Sequence, residues 1–181
     1  MRTIIRSAVL VCFAATLAWA AEDVVSAVHG SIEKIDSGTK TVVVKTADGT
    51  EHTLHLADRT AVHGVDASMD AGKDSWHGLK EGTEVVAHYT TKGTEDTAVE
   101  VDKIGEDGLK ASKGTITDFD RGTKKIVVTG DDGVKSTYRI TDHAAKDAMK
   151  DVPAGAEKGT KVTVFYTESA GKKVVHFFEK G

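Results

Sequence analysis

The sequence has a single cysteine among its 181 residues, and this scarcity excludes several kinds of chemistry. Cys12 lies in an N-terminal segment that we expect to be removed on export. The mature chain would then have no disulfide, no thiol nucleophile and no thiolate metal ligand. We therefore expect the fold to be stabilised by packing alone, for which about 160 residues are sufficient.

Long apolar runs are also lacking. The apolar stretch after Arg6 covers about 15 residues, fewer than the roughly 20 that a membrane-spanning helix needs. Arg2 and Arg6 form a positive n-region, residues 8–18 an apolar h-region, and Ala18-Trp19-Ala20 an A-x-A cleavage site. The bulky valine before Cys12 argues against a lipidated cysteine. We predict a signal peptide cleaved near Ala20, a periplasmic or secreted protein, and no transmembrane segment in the mature chain.

Recognisable catalytic motifs are missing as well. The sequence contains no G-x-S-x-G, no H-E-x-x-H and no paired-cysteine pattern. Carboxylates are abundant, but the recurring ones fall in or beside expected turns, where short carboxylates bind nearby backbone N–H groups. These recurring pairs are Asp36 and Asp120, Asp48 and Asp132, and Asp58 and Asp142. We therefore predict that the protein is not an enzyme.

One stretch of the sequence occurs twice. Residues 29–60 align with residues 113–144 without a gap, and 12 of the 32 positions are identical, where ordinary composition would give about two. We interpret this as an internal duplication. The predicted division of the chain is a signal peptide at 1–20, a first repeat at 21–105 and a second repeat at 106–181.

Each repeat shows the alternation of apolar and polar residues that is typical of strands. A bend is expected at Ile35, where the alternation breaks, and a hairpin turn at Asp48-Gly49, which Asp132-Gly133 matches. Tyr138 is expected to face inward. In the first repeat the predicted strands cover 24–35, 41–46, 50–56, 82–90 and 97–104.

A longer segment separates the third and fourth strands of each repeat. It covers 57–80 in the first repeat, and in the second repeat helix formers predict a short helix over 142–150. The predicted fold is thus all-β, with two tandem five-stranded OB-like small barrels, each carrying a loop or short helix between strands three and four. An SH3-like barrel is the nearest alternative. The short linker at 105–111 indicates that the barrels touch.

The motif G-x-I-x-x-[IF]-D-x-G-T-K-x-[VI]-V-V, the D-G hairpin and the later [EK]-G-T-x-V strand resemble a class of exported bacterial domains. These are small barrels, often in tandem and mostly without assigned function. The outline is also similar to the periplasmic copper- and silver-binding barrel of cation efflux systems, in which a histidine, two methionines and a tryptophan hold the metal. Here Met69 and Met149 both fall in the segments between strands three and four, and no M-x-M occurs.

Charge is unevenly distributed. Removing Arg2 and Arg6 leaves 22 basic and 28 acidic residues, a net charge of −6; residues 21–105 carry −8 and residues 106–181 carry +2. An acidic surface repels phosphate backbones, so we expect no nucleic-acid partner. Six of the eight histidines fall in the first repeat.

Two of these histidines suggest a metal site. His63 and His77 share the first long segment with Asp70 and Asp74, and imidazole and carboxylate groups bind divalent cations. These four residues are the predicted metal ligands. The competing interpretation is a scatter of surface histidines, and His88, which aligns with Phe165, is expected at an ordinary exposed position.

The function that the sequence favours is an exported, non-enzymatic binding or envelope-associated module without a resident cofactor. Its partner would be an envelope protein or a cell-surface component, bound by the barrel faces or by the cleft between the repeats. The alternative is a periplasmic protein that binds a divalent metal ion through the histidine- and aspartate-rich first repeat.

Overall fold

The structure, a computed structural model, describes residues 25–65, 78–120, 122–140 and 158–181. These ranges contain ten strands and no α-helix, which confirms the all-β prediction for them. The strands are β1 (Val25–Asp36), β2 (Thr41–Lys45), β3 (Glu51–His63), β4 (Glu84–Lys92), β5 (Glu95–Lys103), β6 (Lys110–Asp120), β7 (Lys125–Gly130), β8 (Lys135–Ile140), β9 (Lys161–Ser169) and β10 (Lys172–Lys180).

Some predicted features lie outside the described residues. They are the signal peptide at 1–20, the helix at 142–150 and residues 66–77, half of the first long segment. Within the described residues, no helix is long and apolar enough to span a membrane.

The strands form two closed barrels. The first barrel has the neighbour order β1-β2-β3-β5-β4, and the second has the order β10-β8-β7-β6-β9. Because the second barrel is closed, its order can equally be read as β6-β7-β8-β10-β9, which matches the first barrel strand for strand. In both barrels the third and fifth strands pair in parallel and the other pairs are antiparallel. This is the order of an OB-type barrel, so the prediction of two tandem OB-like barrels is confirmed.

Glycine at one equivalent position lets the backbones approach closely in both barrels. A Cβ atom on Gly30 would lie 2.2 Å from the carbonyl oxygen of Lys45, and one on Gly114 would lie 2.5 Å from that of Thr129. Both distances are far below any real contact, so only glycine fits. The first glycine of the repeated G-x-I motif is therefore required because the backbone of the second strand passes too close for a side chain.

The first strand of each barrel contains a β-bulge. In β1 this bulge lies slightly earlier in the sequence than the predicted bend. The pairing of β1 with β2 shifts between Ile32 and Lys34, two residues before the expected position at Ile35. The pairing of β6 with β7 shifts equivalently, between Ile116 and Asp118. The bulges bend the strands so that each can pair on both edges.

The third strand of the first barrel is longer than predicted. It continues to His63, whereas the sequence alternation ends at Leu56. Pairing with β5 shifts between Leu56 and Ala61, and the buried Thr60 hydroxyl donates to the Ala98 carbonyl oxygen at 2.7 Å across this irregular section. The prediction that strand three ends at Leu56 was therefore wrong, and His63 is held on a strand.

The apolar residues form one core in each barrel and a third cluster between the barrels. Tyr138 is buried in the second core, as predicted. In the hairpin turns, Gly49 and Gly133 have the expected positive φ. The third cluster contains Val86, Leu109, Phe165 and Phe177, with Ala27 and Ile104 packed against it. The two barrels therefore touch, as the short linker indicates.

Candidate metal centre

The recurring turn carboxylates have structural roles. Asp36 Oδ1 accepts hydrogen bonds from the backbone N–H groups of Gly38 and Thr39, at 2.9 and 3.0 Å. Asp48 caps its turn in the same way, and the hydrogen bonds from the Thr46 hydroxyl and the Thr50 N–H lower its pKa to about 2. The prediction that these residues serve turns is confirmed for both.

Only one of the four predicted metal ligands falls in the described part of the chain. His63 is the last residue of β3, and its side chain is 59% exposed. His77, Asp70 and Asp74 lie outside the described residues, so their grouping with His63 stays a prediction.

The structure places His63 beside two carboxylates that the sequence analysis did not single out. His63, Glu100 and Asp102 each offer a ligand atom, and these atoms all lie within 4.8 Å of one another. Strand pairing accounts for the arrangement. Asp102 on β5 is the Cα partner of His63 on the parallel β3, and Glu100, two residues earlier, is on the same face. His63 Nε2 is 3.4 Å from Glu100 Oε1.

Asp102 is the unusual member of this triad because it is buried. The residue is only 2% exposed, and its Oδ2 receives no hydrogen bond from any described group. Burial raises its pKa to about 6, and the nearby Glu100 carboxylate adds to the rise, while His63 and His88 oppose it. A buried carboxylate oxygen without a donor is costly, and a bound cation would satisfy it.

Two further histidines surround the triad. His88 on β4 is the Cα partner of Glu100 and is 1% exposed, so the expectation of an ordinary exposed position was wrong. It faces the contact between the barrels. His176 on β10, in the second barrel, has its Nδ1 3.7 Å from Asp102 Oδ2. Burial lowers the pKa of His176, which favours the neutral form of the ring, the form that binds a metal.

A β-bulge in the fifth strand of each barrel creates this face. Pairing shifts past Val99 in β5 and past His176 in β10. In β10 the neighbours Val175 and Phe178 point into the core, while His176 and Phe177 both point outward. The extra residue thus presents two successive side chains to the other barrel.

On the same contact, a third histidine lies between carboxylates. His29 Nε2 is 3.0 Å from Glu84 Oε1 and its Nδ1 is 3.2 Å from Glu179 Oε2, while its ring packs on Phe165 at 4.5 Å between centroids. With both ring nitrogens paired to carboxylates, His29 forms a bridge between the barrels. Beside it is an open cleft of about 490 Å³, lined by residues of both barrels.

The sequence does contain a signal for the missed residues. The register aligns His88 with Phe165 and Glu100 with Phe177. Comparing the two repeats strand by strand, rather than by segment, would have shown polar residues replacing aromatic ones at two neighbouring positions of one face.

Comparisons with known proteins give structural matches at low sequence identity. No protein-family model matches the chain, and no curated protein matches it significantly. A crystal structure of silver(I)-bound CusF is 13% identical, with a TM-score of 0.33, and the match covers 44% of this chain and 96% of that one. A structure of apo-CusF residues 6–88 from Escherichia coli is 14% identical, with a TM-score of 0.34, covering 46% and 92%. The predicted outline similarity to a silver-binding barrel is thus found, at low identity.

Proposed function

We propose that this protein is an exported, non-enzymatic protein that binds a divalent metal ion through His63, Glu100 and Asp102. The observation that carries the proposal is the buried Asp102 carboxylate, whose Oδ2 lacks a hydrogen-bond donor among the described residues. A carboxylate in this position costs folding free energy unless a cation compensates it. His63 and Glu100 supply the additional ligand atoms within 4.8 Å.

The ligand types indicate the class of metal. One imidazole and two carboxylates suit borderline and hard divalent cations such as Zn²⁺, whereas soft monovalent ions prefer thiolates and thioethers. In a tetrahedral zinc site, bonds of about 2.0 Å would put ligand atoms roughly 3.3 Å apart. His63 Nε2 and Glu100 Oε1, at 3.4 Å, are already close to this spacing, and the remaining ligand atoms lie within 4.8 Å.

The expectation that the protein is not an enzyme belongs to the same proposal. The triad has a histidine at the surface and a carboxylate in the barrel contact, an arrangement that suits holding an ion. The predicted signal peptide supports export, so that the metal would be bound outside the cytoplasm. The acidic first repeat, with a charge of −8 over residues 21–105, would attract cations.

Titration calorimetry with Zn²⁺ tests the proposal. We expect one ion per chain for the wild type, and at least a 10- to 100-fold weaker affinity for Glu100→Gln and His63→Ala, which is the loss that even outer-shell changes produce. His55→Ala, on the outer face of the same barrel, is the control and should bind normally. No heat above buffer for the wild type would overturn the proposal.

The variant His77→Ala separates the triad from the ligands predicted by sequence. Normal zinc affinity in His77→Ala, with loss in Glu100→Gln, supports the triad. Loss in His77→Ala with normal binding in Glu100→Gln would instead assign the metal to His63, His77, Asp70 and Asp74.

A second candidate function is the binding of an envelope component in the inter-barrel cleft. The cleft is open, about 490 Å³ in volume, and lined by polar and apolar groups that include His52, Phe177 and Glu179. Co-sedimentation with purified peptidoglycan tests it. We expect binding by the wild type and loss in Ala47→Trp, which would fill the cleft. Equal sedimentation of both proteins, or of neither, would count against this function.

A further inference from the structure

The metal site that the triad defines lies at the contact between the two barrels, and the second barrel presents an imidazole to it. His176 Nδ1 is 3.7 Å from Asp102 Oδ2, the oxygen that lacks a donor. This distance is too long for a hydrogen bond. It is close to the roughly 3.3 Å that separates two ligand atoms on one zinc ion.

The other nitrogen of the ring is already held in place. A hydrogen bond of 3.1 Å joins His176 Nε2 to the hydroxyl oxygen of Thr167, on the neighbouring strand β9. A metal-binding histidine almost always donates its second ring N–H to such an oxygen, which fixes the tautomer and the ring orientation. In the tautomer that donates Nε2–H to Thr167, the lone pair of Nδ1 is on the side of Asp102, where it can bind a cation.

The backbone also supports this role. His176 is the extra residue of the β10 bulge, which turns its side chain outward toward the first barrel together with Phe177. The equivalent residue of the first barrel is Val99, on the bulge of β5. Each barrel thus has this bulge, but only in the second barrel does the extra residue have a side chain that can bind a metal.

We propose that His176 is the fourth ligand of the metal site, so that a bound divalent cation is bonded to both barrels at once. This inference rests on the proposed function. Three ligands come from adjacent strands of the first barrel and one from the second, so neither barrel contains a complete site. His88 is the competing fourth ligand, because it is buried beside Glu100, but it belongs to the first barrel.

The experiment compares zinc binding by the full-length mature chain and its His176→Gln variant. Glutamine can keep a hydrogen bond to Thr167 but offers no ligand atom at the position of Nδ1. We expect at least a 10- to 100-fold weaker affinity for His176→Gln, and a loss toward the lower end of that range for Thr167→Val, which removes only the orienting bond. His55→Gln is the matched control and should be unchanged.

Nitrogen NMR of the histidine rings gives an independent measurement. On saturation with Zn²⁺, the ring resonances of His63 and His176 should both shift, while those of His55 should not. Shifts of His63 and His88 with no shift of His176 would overturn the inference and assign the fourth position to His88. If the wild type binds zinc and His176→Gln binds equally well, the inference fails and the proposed function stands. If the wild type binds no zinc, the proposed function itself fails.

Discussion

Replacing Asp102 with asparagine should make the metal-free protein more stable at neutral pH. The folded state raises the pKa of this carboxyl from 3.8 to about 6, chiefly because burial disfavours the charged form. The folded protein therefore holds the proton more tightly than the unfolded chain. Stability from this group is present at low pH and is lost as the pH rises from about 4 through 6.

The size of the effect follows from the shift. A difference of about two pKa units corresponds to about 3 kcal/mol at 1.36 kcal/mol per unit. The residue is only 2% exposed, so solvent screening reduces this little. Asparagine removes the cost of the buried charge above pH 6. For a chain of this size, a gain of up to about 3 kcal/mol raises Tm by about 6–12 °C.

Thermal unfolding in the presence of a chelator measures the difference between wild type and Asp102→Asn. At pH 8 the variant should melt higher, and at pH 4 the two curves should converge, because the wild-type carboxyl is then protonated. Saturating Zn²⁺ should raise the Tm of the wild type and not that of the variant, since binding to the folded state adds stability. A variant less stable than the wild type at pH 8 would refute the reasoning and show that Asp102 stabilises the fold as an ion pair.

Packing and pH give three other expected outcomes. Gly30→Ala should cost about 3 kcal/mol or more in urea unfolding, because its Cβ would lie 2.2 Å from the Lys45 carbonyl oxygen. A cost no larger than that of Gly38→Ala, whose Cβ would meet only Asp36 Oδ1 at 3.4 Å, would contradict this. Phe177→Ala should cost about 3–5 kcal/mol in the same assay, because it removes a buried ring from the contact between the barrels, and a loss under about 1 kcal/mol would show that the ring packs loosely. Below pH 6, the zinc affinity measured by calorimetry should fall at least roughly tenfold per pH unit, because protons compete with zinc for Asp102. A zinc affinity that does not change with pH would exclude this residue as a ligand.

The local features of the fold could be predicted because they depend on neighbouring residues. Asp48 and Gly49 determine their turn through a short side chain and a positive φ, and both are recognisable without tertiary structure. The extension of β3 to His63 could not be predicted, because residues 57–60 lack alternation. That section is held by pairing with β5 and by the buried Thr60 hydroxyl, which are long-range contacts.

The same distinction applies to the candidate site. The sequence predicted His63 as a metal ligand, but the partners predicted for it were residues nearby in the sequence. The structure brings it to Glu100 and Asp102 through parallel pairing across about 40 residues of chain. A carboxylate on an alternating strand looks solvent-exposed in the sequence. Asp102 is buried among residues that are distant in sequence, including His63 on β3 and His176 on β10, so its raised pKa depends on contacts that no local pattern encodes.

The contact between the barrels combines an apolar cluster with polar residues. Leu109, Phe165 and Phe177 already supply buried apolar surface, and at the two positions where the first barrel has His88 and Glu100 the second barrel has the phenylalanines. An aromatic pair in the first barrel as well would make a drier and more stable contact, because buried charges often stabilise less than apolar groups of similar size. The cost of burying the Asp102 carboxylate therefore supports the proposal that this face binds a cation.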